Sequence, residues 1–317
     1  MTLQKTFDTP ILFLVFNRPE TTSIVFDVIK KVKPSRLFIA ADGPRDSILN
    51  EMQKCQRVRA LFDTIDWPCE VKTLYREKNL GCKIAVSSAI TWFFEQVEYG
   101  IILEDDCLPD VTFFDFCSEL LLKYESDNEV MMIGGNNFHK KPIEISSSYY
   151  FTNYPHIWGW ATWRRAWSNY NLDVSDYKKV LSANCFNDLF QTLSEKKYWF
   201  NVFEKVANEK TNTWDYQWVY AIWKNHGKSI TTSTNLVINI GMNVDSTHFF
   251  IKDSFRDDLK LLKIIFPLNH PILKINKQAD RDTYNNVYAK SFARGLRLFR
   301  ENSFLALTYY IRKKIFK

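Results

Sequence analysis

Several things are missing from this 317-residue chain, and each absence closes off a class of protein. None of its six cysteines (Cys55, Cys69, Cys82, Cys107, Cys117 and Cys185) forms a CxxC pair, and a chain this long needs no disulfide staples. They read as reduced thiols in a cytoplasmic protein. No run reaches the roughly eighteen apolar residues of a transmembrane helix. No basic segment followed by a long apolar stretch opens the sequence, so no signal peptide is expected. The first expected strand is not followed by GxGxxG, and GxxxxGK[ST] occurs nowhere, which counts against a dinucleotide oxidoreductase and a P-loop enzyme. Nor is there an internal repeat, a low-complexity tract or a long linker.

What is present suits one large globular domain or two small ones: 46% hydrophobic residues and 25% charged. Aromatics reach 16%, with ten Trp and fifteen Tyr. Core packing accounts for most of them, and a groove that stacks on sugar or base rings accounts for some. The net charge of +6 is unevenly spread. Residues 288–317 hold eight Lys and Arg against Glu301, a local net of +7, which leaves the rest near neutral at −1. In that tail Phe292, Leu296 and Phe299 share a helical face, with Lys290, Arg294 and Arg297 on another. Basic amphipathic helices lie in the plane of anionic membranes, so the tail predicts peripheral attachment to the inner face of the cell membrane. A packed helix with a solvated basic side is the equal alternative. No nucleic-acid partner is expected.

The apolar pattern predicts strands at 11–16, 37–41, 71–75 and 101–104, with helices at 21–32, 47–63 and 84–97 between them. This β-α-β-α-β-α-β order predicts a parallel, nucleotide-binding type of sheet. Beyond residue 110 the pattern predicts helices at 113–124, 175–194, 196–209 and 214–223, strands at 130–134 and 229–240, and a helical tail from about 254. The expected domains are a catalytic one over 1–253, in halves 1–110 and 111–253, and a basic helical region over 254–317.

The most informative stretch is Ile101-Ile102-Leu103-Glu104-Asp105-Asp106. A short apolar run, buried on both faces, ends in three carboxylates. Acids packed together repel, and desolvating them is costly, so something positive should join them. A divalent metal, Mn²⁺ or Mg²⁺, is the first candidate; a solvated acidic turn is the bland alternative. Ligand sites in open α/β sheets form at the carboxyl ends of strands. Arg18 ends the first expected strand and Asp42 the second, so both open on the same edge as Glu104, Asp105 and Asp106. An ordinary surface turn remains the alternative for Arg18 and Asp42.

These residues resemble a known family. The turns Asn17-Arg18 and Ala41-Asp42-Gly43, the run Leu103-Glu104-Asp105-Asp106, Trp158-Gly159-Trp160 and Trp214-Asp215-Tyr216-Gln217-Trp218 resemble, in order and spacing, the GT-A glycosyltransferases, most nearly the N-acetylglucosaminyltransferase I type. The resemblance spans roughly 10–250 and implies a GT-A fold: a Rossmann-like mixed sheet with flanking helices. It implies that Arg18, Asp42, Lys83, Glu104, Asp105 and Trp160 bind a nucleoside-diphosphate sugar, with UDP in first place. Asp42 would take the uracil edge, Asp105 the ribose, and Glu104 would lie near the donor sugar. Asp106, together with His248, would hold the metal. Asp215 would be the catalytic base of an inverting transfer, preferred over Asp173, Asp176 and Asp188 because Trp214 and Trp218 flank it. A helix-capping Asp215, a structural His248, a solvated Lys83, and core roles for Trp158, Trp160 and Trp163 are the alternatives.

The expected function is thus a metal-dependent glycosyltransferase acting on a glycan or lipid-linked saccharide hydroxyl in bacterial surface-polysaccharide synthesis. A catalytically inactive sugar-nucleotide-binding module is the second reading. A sugar-phosphate nucleotidyltransferase ranks below both, because those usually place a glycine-rich loop where Phe16-Asn17-Arg18-Pro19 stands.

Overall fold

A computed structural model describes residues 7–139, 142–241 and 259–289. It is α/β, built on a mixed eight-stranded sheet. β1 (Ile11–Val15), β2 (Arg36–Ala41), β3 (Glu70–Tyr75) and β4 (Tyr99–Glu104) are mutually parallel, in the order β3-β2-β1-β4. A short strand, β5 (Cys107–Pro109), follows the acids. The large sheet continues through β8 (Trp160–Trp163), β6 (Val130–Gly134), β9 (Lys228–Thr232) and β7 (Tyr149–Thr152). β8 runs antiparallel between β4 and β6, so β6 again points the same way as β4. β10 (Val237–Asn239) pairs antiparallel with β5 in a separate ribbon.

All five residues of β1 are buried, because helices cover both faces. One face packs on α1 (Pro19–Val32), α2 (Glu51–Ala60) and α4 (Thr112–Lys123), through Phe13, Phe26, Ile39, Leu103 and Phe113. The other packs on α3 (Gly81–Phe94), α7 (Leu193–Ala207) and α8 (Asp215–Lys224), through Leu12, Phe38, Phe93, Trp160 and Trp218. The chain walks from β1 outward to β3 with its helices on the first face. It then returns through α3, on the opposite face, to lay β4 beside β1. The sheet therefore reverses its winding between β1 and β4, and in open α/β sheets ligands bind at such a switch point.

The structure departs from the sequence pattern beyond the two unexpected strands β5 and β7. The expected helix at 175–194 is reduced to α5's successor α6 (Tyr177–Leu181) and a 3₁₀ turn, Asn184–Phe186; α5 itself is the single turn Arg164–Trp167. Thr192 then opens α7 by accepting the Glu195 N–H at 3.1 Å. The expected strand at 229–240 splits into β9 and β10, because Asn235 turns inward between them and bonds Asn137 and His139. Trp160–Trp163 is a strand the sequence did not announce. Its alternation sends Trp160 into one core and Trp163 into the other. Finally, Leu259 to Asn276 is not helical: Ile264 and Leu268 enter the first core, and the helix begins only at Lys277, as α9 (Lys277–Thr283) continued by a π-helical stretch, Tyr284–Ala289. The basic residues at 290–317 lie outside the described residues, as does His248.

Candidate functional site

The register Leu14↔Glu104 places the acids beside the end of β1, at the switch point. Phe16 N donates to Asp105 Oδ2 (3.1 Å), tying the loop after β1 to the cluster. Arg18 then reaches across. Its Nη1 donates to Asp106 Oδ2 (2.6 Å) and its Nη2 pairs with Asp105 Oδ1. The cation that the cluster requires is thus in part a guanidinium, and Arg18 is turned towards the acids. Burial opposes the guanidinium charge, yet Asp105 and then Asp106 hold Arg18 protonated well above its ordinary range.

The acids remain under strain despite Arg18. Burial, then Asp106 and Asp105, push half-buried Glu104 up to about 8. Burial also raises Asp105, to about 6, although Arg18 pulls against it. Among the residues that raise Glu104 is Asp215. The base candidate from the second half of the chain therefore lies within electrostatic reach of the end of β4. Asp215 is the first residue of α8, half-buried, and accepts from Thr213 Oγ1. Cys82, the second residue of α3, feels Glu104, Asp215 and Asp42 together. Burial among these walls, and then their charge, push its thiol up to about 12, although the side chain is exposed. Cys82 thus stands near acids from three elements at the carboxyl edge of the sheet. Beside it Lys83 lies 4.0 Å from Glu209, which precedes α8.

Asp42 is placed differently from its expected role. Its carboxylate accepts from Gly43 N (2.9 Å), Leu80 N (3.0 Å), Gly81 N (3.2 Å) and Asn79 Nδ2 (3.0 Å). Four donors fill the lone-pair sites of a carboxylate. Asp42 thus caps α3 from a neighbouring strand, and a uracil N–H would have to displace one of these bonds. Trp160 is 0% exposed and stacks on Trp214 at 5.8 Å and 20°, so its ring meets protein on its faces.

Two features escaped the sequence reading. Glu51, almost fully buried, is bonded by Asn17 Nδ2 (2.8 Å), Arg45 N (2.6 Å) and the Arg45 guanidinium (2.5 Å). It clamps together the loops after β1 and β2 at the carboxyl edge of the sheet; a lone Glu in an otherwise polar helix gives no such signal. Gly241 is the other. A Cβ there would overlap Asp106 Oδ2 and lie 2.6 Å from both Arg18 Nη1 and Asp106 Cβ. Its backbone therefore lies directly over the Arg18–Asp106 pair, brought there by the β10–β5 ribbon and the bond from Ile240 N to Asp106 O (2.8 Å).

Among the described residues no three carboxylate, imidazole or thiol groups gather as a ready metal cage. A hard divalent cation at the end of β4 would have to share the Asp105 and Asp106 oxygens with Arg18.

No family model matches the sequence, and no curated protein does. Among solved structures the protein is similar to HddC from Yersinia pseudotuberculosis, at 9% identity over 39% of this chain and 56% of that one, with a TM-score of 0.27. It is similar to S. aureus TarS 1–349 at 10% identity over 72% and 59%, with a TM-score of 0.39. The 4-diphosphocytidyl-2C-methyl-D-erythritol synthase of Anaerococcus prevotii matches at 9% over 62% and 84%, with a TM-score of 0.32. The chain thus spans little more than half the length of the first two. None of the three bears the name N-acetylglucosaminyltransferase I. With scores this low, the site has to be read from its own geometry.

Proposed function

We propose that the protein is a metal-dependent glycosyltransferase that moves a sugar from a nucleoside diphosphate, UDP in first place, to a saccharide hydroxyl. The observation that carries this reading is the convergence, at the β1/β4 switch point, of an acidic strand end with a carboxylate from the opposite half of the chain. In this reading Asp106 holds the cation and Arg18 keeps Asp105 and Asp106 aligned. A bound Mn²⁺ or Mg²⁺ would act as a Lewis acid on the diphosphate leaving group. Asp215 takes the proton of the attacking hydroxyl, a transfer worth on the order of 10²–10⁴ in rate. One base acting on an in-line attack inverts the anomeric configuration. In the same reading Lys83, in the first turn of α3, adds positive charge towards the phosphates. Surface-polysaccharide synthesis at the inner membrane face belongs to the same proposal and rests on the charge of 288–317. No helix among the described residues is long and apolar enough to cross a membrane.

A second reading has one observation in its favour. Arg18 already occupies two carboxylates, as it would in a sugar-nucleotide-binding module that works without metal. Thermal unfolding with UDP, with and without Mn²⁺, separates the two. A ligand at a hundred times its Kd adds about 2.7 kcal/mol. The transferase reading expects that gain only when Mn²⁺ is present, and expects its loss in Asp106→Ala. Stabilisation by UDP alone, undiminished in Asp106→Ala, would overturn the metal assignment and favour the module.

A further inference from the structure

The two ends of the large sheet are finished differently. At one end the chain covers β7 itself: Phe151 bridges Ile275, and Asn276 N donates to Phe151 O (2.8 Å). At the other end stands β3, which pairs with β2 on one side only. Glu70 N donates to Ser35 O (2.8 Å) and Arg76 N to Ala41 O (3.0 Å), so the even-numbered residues of β3 turn their backbone groups towards β2. Backbone groups alternate sides along a strand, so those of Val71, Thr73 and Tyr75 point away from the sheet. Among the described residues no backbone group bonds them.

An open edge recruits another strand unless something blunts it, and native edges carry a bulge, a proline or a charge in the way. The register of β3 with β2 runs without a shift from Glu70 to Tyr75, and the strand holds no proline. Its one lysine lies over the face of the sheet: Lys72 Nζ is 5.7 Å from the centre of the Phe38 ring and 3.3 Å from Glu70 Oε1. Val71 and Tyr75 share a face of the strand and are 39% and 36% exposed.

The edge fits a copy of itself. In an antiparallel pair about a two-fold axis, the outward groups bond only when odd-numbered residues stand opposite odd-numbered ones. An axis at Thr73 sets Val71 opposite Tyr75 of the second copy, Thr73 opposite Thr73, Lys72 opposite Leu74 and Glu70 opposite Arg76. Branched–aromatic, Thr–Thr and opposite-charge pairs are those that stabilise antiparallel strands. Moving the axis one residue sets Lys72 against Lys72 or against Arg76, and like charges opposed are destabilising. An axis at Val71 sets Thr73 and Tyr75 opposite Cys69 and Trp67, which precede the strand.

The ladder ends where the candidate site begins. The Arg76 carbonyl accepts from Arg59 Nη2 (2.7 Å), which also bonds Asp42 O (3.3 Å). A second copy on this edge would brace the turn from which Asn79 and Leu80 hold Asp42.

We propose that β3 is the edge through which two copies of this chain pair, antiparallel about a two-fold axis at Thr73, so that one sheet continues across the dimer. The pairing does not depend on the transferase reading.

Small interfaces associate weakly, so the full chain is sedimented at concentrations from about 1 to 300 µM. A reversible equilibrium between monomer and dimer is expected. Thr73→Pro removes an N–H that faces away from β2, where an edge strand tolerates proline. It should weaken association about thirtyfold, because the symmetry deletes two ladder bonds at once, and should keep the melting temperature. Glu70→Arg and Arg76→Glu test the register. Each alone opposes like charges and should sediment as a monomer. Mixed in equal amounts, the two variants regain opposite charges at both ends of the ladder and should form a dimer. Should Thr73→Pro not fold, this charge-swapped pair decides alone. A chain that stays monomeric throughout overturns the pairing and leaves the edge to a strand of another protein. A dimer unchanged in folded Thr73→Pro overturns it too, as does Arg76→Glu dimerising by itself as well as the wild type.

Discussion

At the scale of single residues, Arg18 matters most. It sits between Asp105 and Asp106, and burial already pushes Asp105 up against the pull of the guanidinium. Removing one partner of such a pair costs about 3–5 kcal/mol when the site is fully buried, and Arg18 is a quarter exposed. Urea unfolding of Arg18→Met is therefore expected to show a loss of about 3 kcal/mol at neutral pH. Millimolar Mn²⁺ should restore part of it, and should fail to do so in Arg18→Met/Asp106→Asn. Full stability in Arg18→Met without metal would show that the acids need no cation. The need for a positive charge was legible in Glu104-Asp105-Asp106, because three adjacent acids after an apolar run admit few comfortable structures. That the charge would be Arg18 was not. A side chain's direction beyond a strand end depends on the β1/β4 register, and sequence spacing does not contain it.

Among the elements, α3 shows how a site wall is held. Its first turn lacks a side-chain cap of its own, and Asp42 supplies one from the end of β2. Losing an N-cap carboxylate costs about 1–2 kcal/mol. Asp42→Ala should show that loss in urea, and Asp42→Asn, which keeps one acceptor oxygen, should lose less. If Asp42 instead reads uracil, both variants would keep their stability and lose UDP affinity, which the thermal-shift series detects. The strands β1 to β4 were legible because each is a compact apolar run between turn residues. The β8 strand was masked by its tryptophans: Trp158-Gly159-Trp160 drew attention as ring-binding surface, whereas Trp160 serves the core. The helix expected at 175–194 failed because Ser182, Asn184 and Asn187 favour turns over helix interiors, and no continuous apolar face outweighs them.

For the molecule as a whole, the segment 259–289 behaves as a strap. Asn276 N donates to Phe151 O (2.8 Å), and Asp280 in α9 accepts from Thr152 Oγ1 and from Asn153 N (3.2 Å). Burial, only partly offset by these donors, pushes the Asp280 carboxyl up to about 7 from an ordinary 3.8. Between those values the folded chain keeps a proton that the unfolded chain has released. Stability from this group is therefore present below pH 4 and declines as pH rises towards 7. Asp280→Asn should remove that decline, matching the wild type below pH 4 and melting higher at pH 8. Equal melting temperatures at both values would refute the assignment. The strap itself was not legible, because its basic composition drew the reading towards a surface helix, while its anchoring contacts come from Ile264, Leu268 and Asp280.

The clustered indoles have an optical consequence. Trp160, Trp167, Trp214 and Trp218 lie with ring centroids 5.1 to 6.4 Å apart, and Trp214 precedes Asp215 in the chain. Indoles this close couple their excited states and give a near-ultraviolet circular-dichroism signature set by their mutual angles. Any ligand that shifts the start of α8 by even a few degrees changes those angles. The unlabelled protein thus carries its own gauge of what the start of α8 does when a ligand binds.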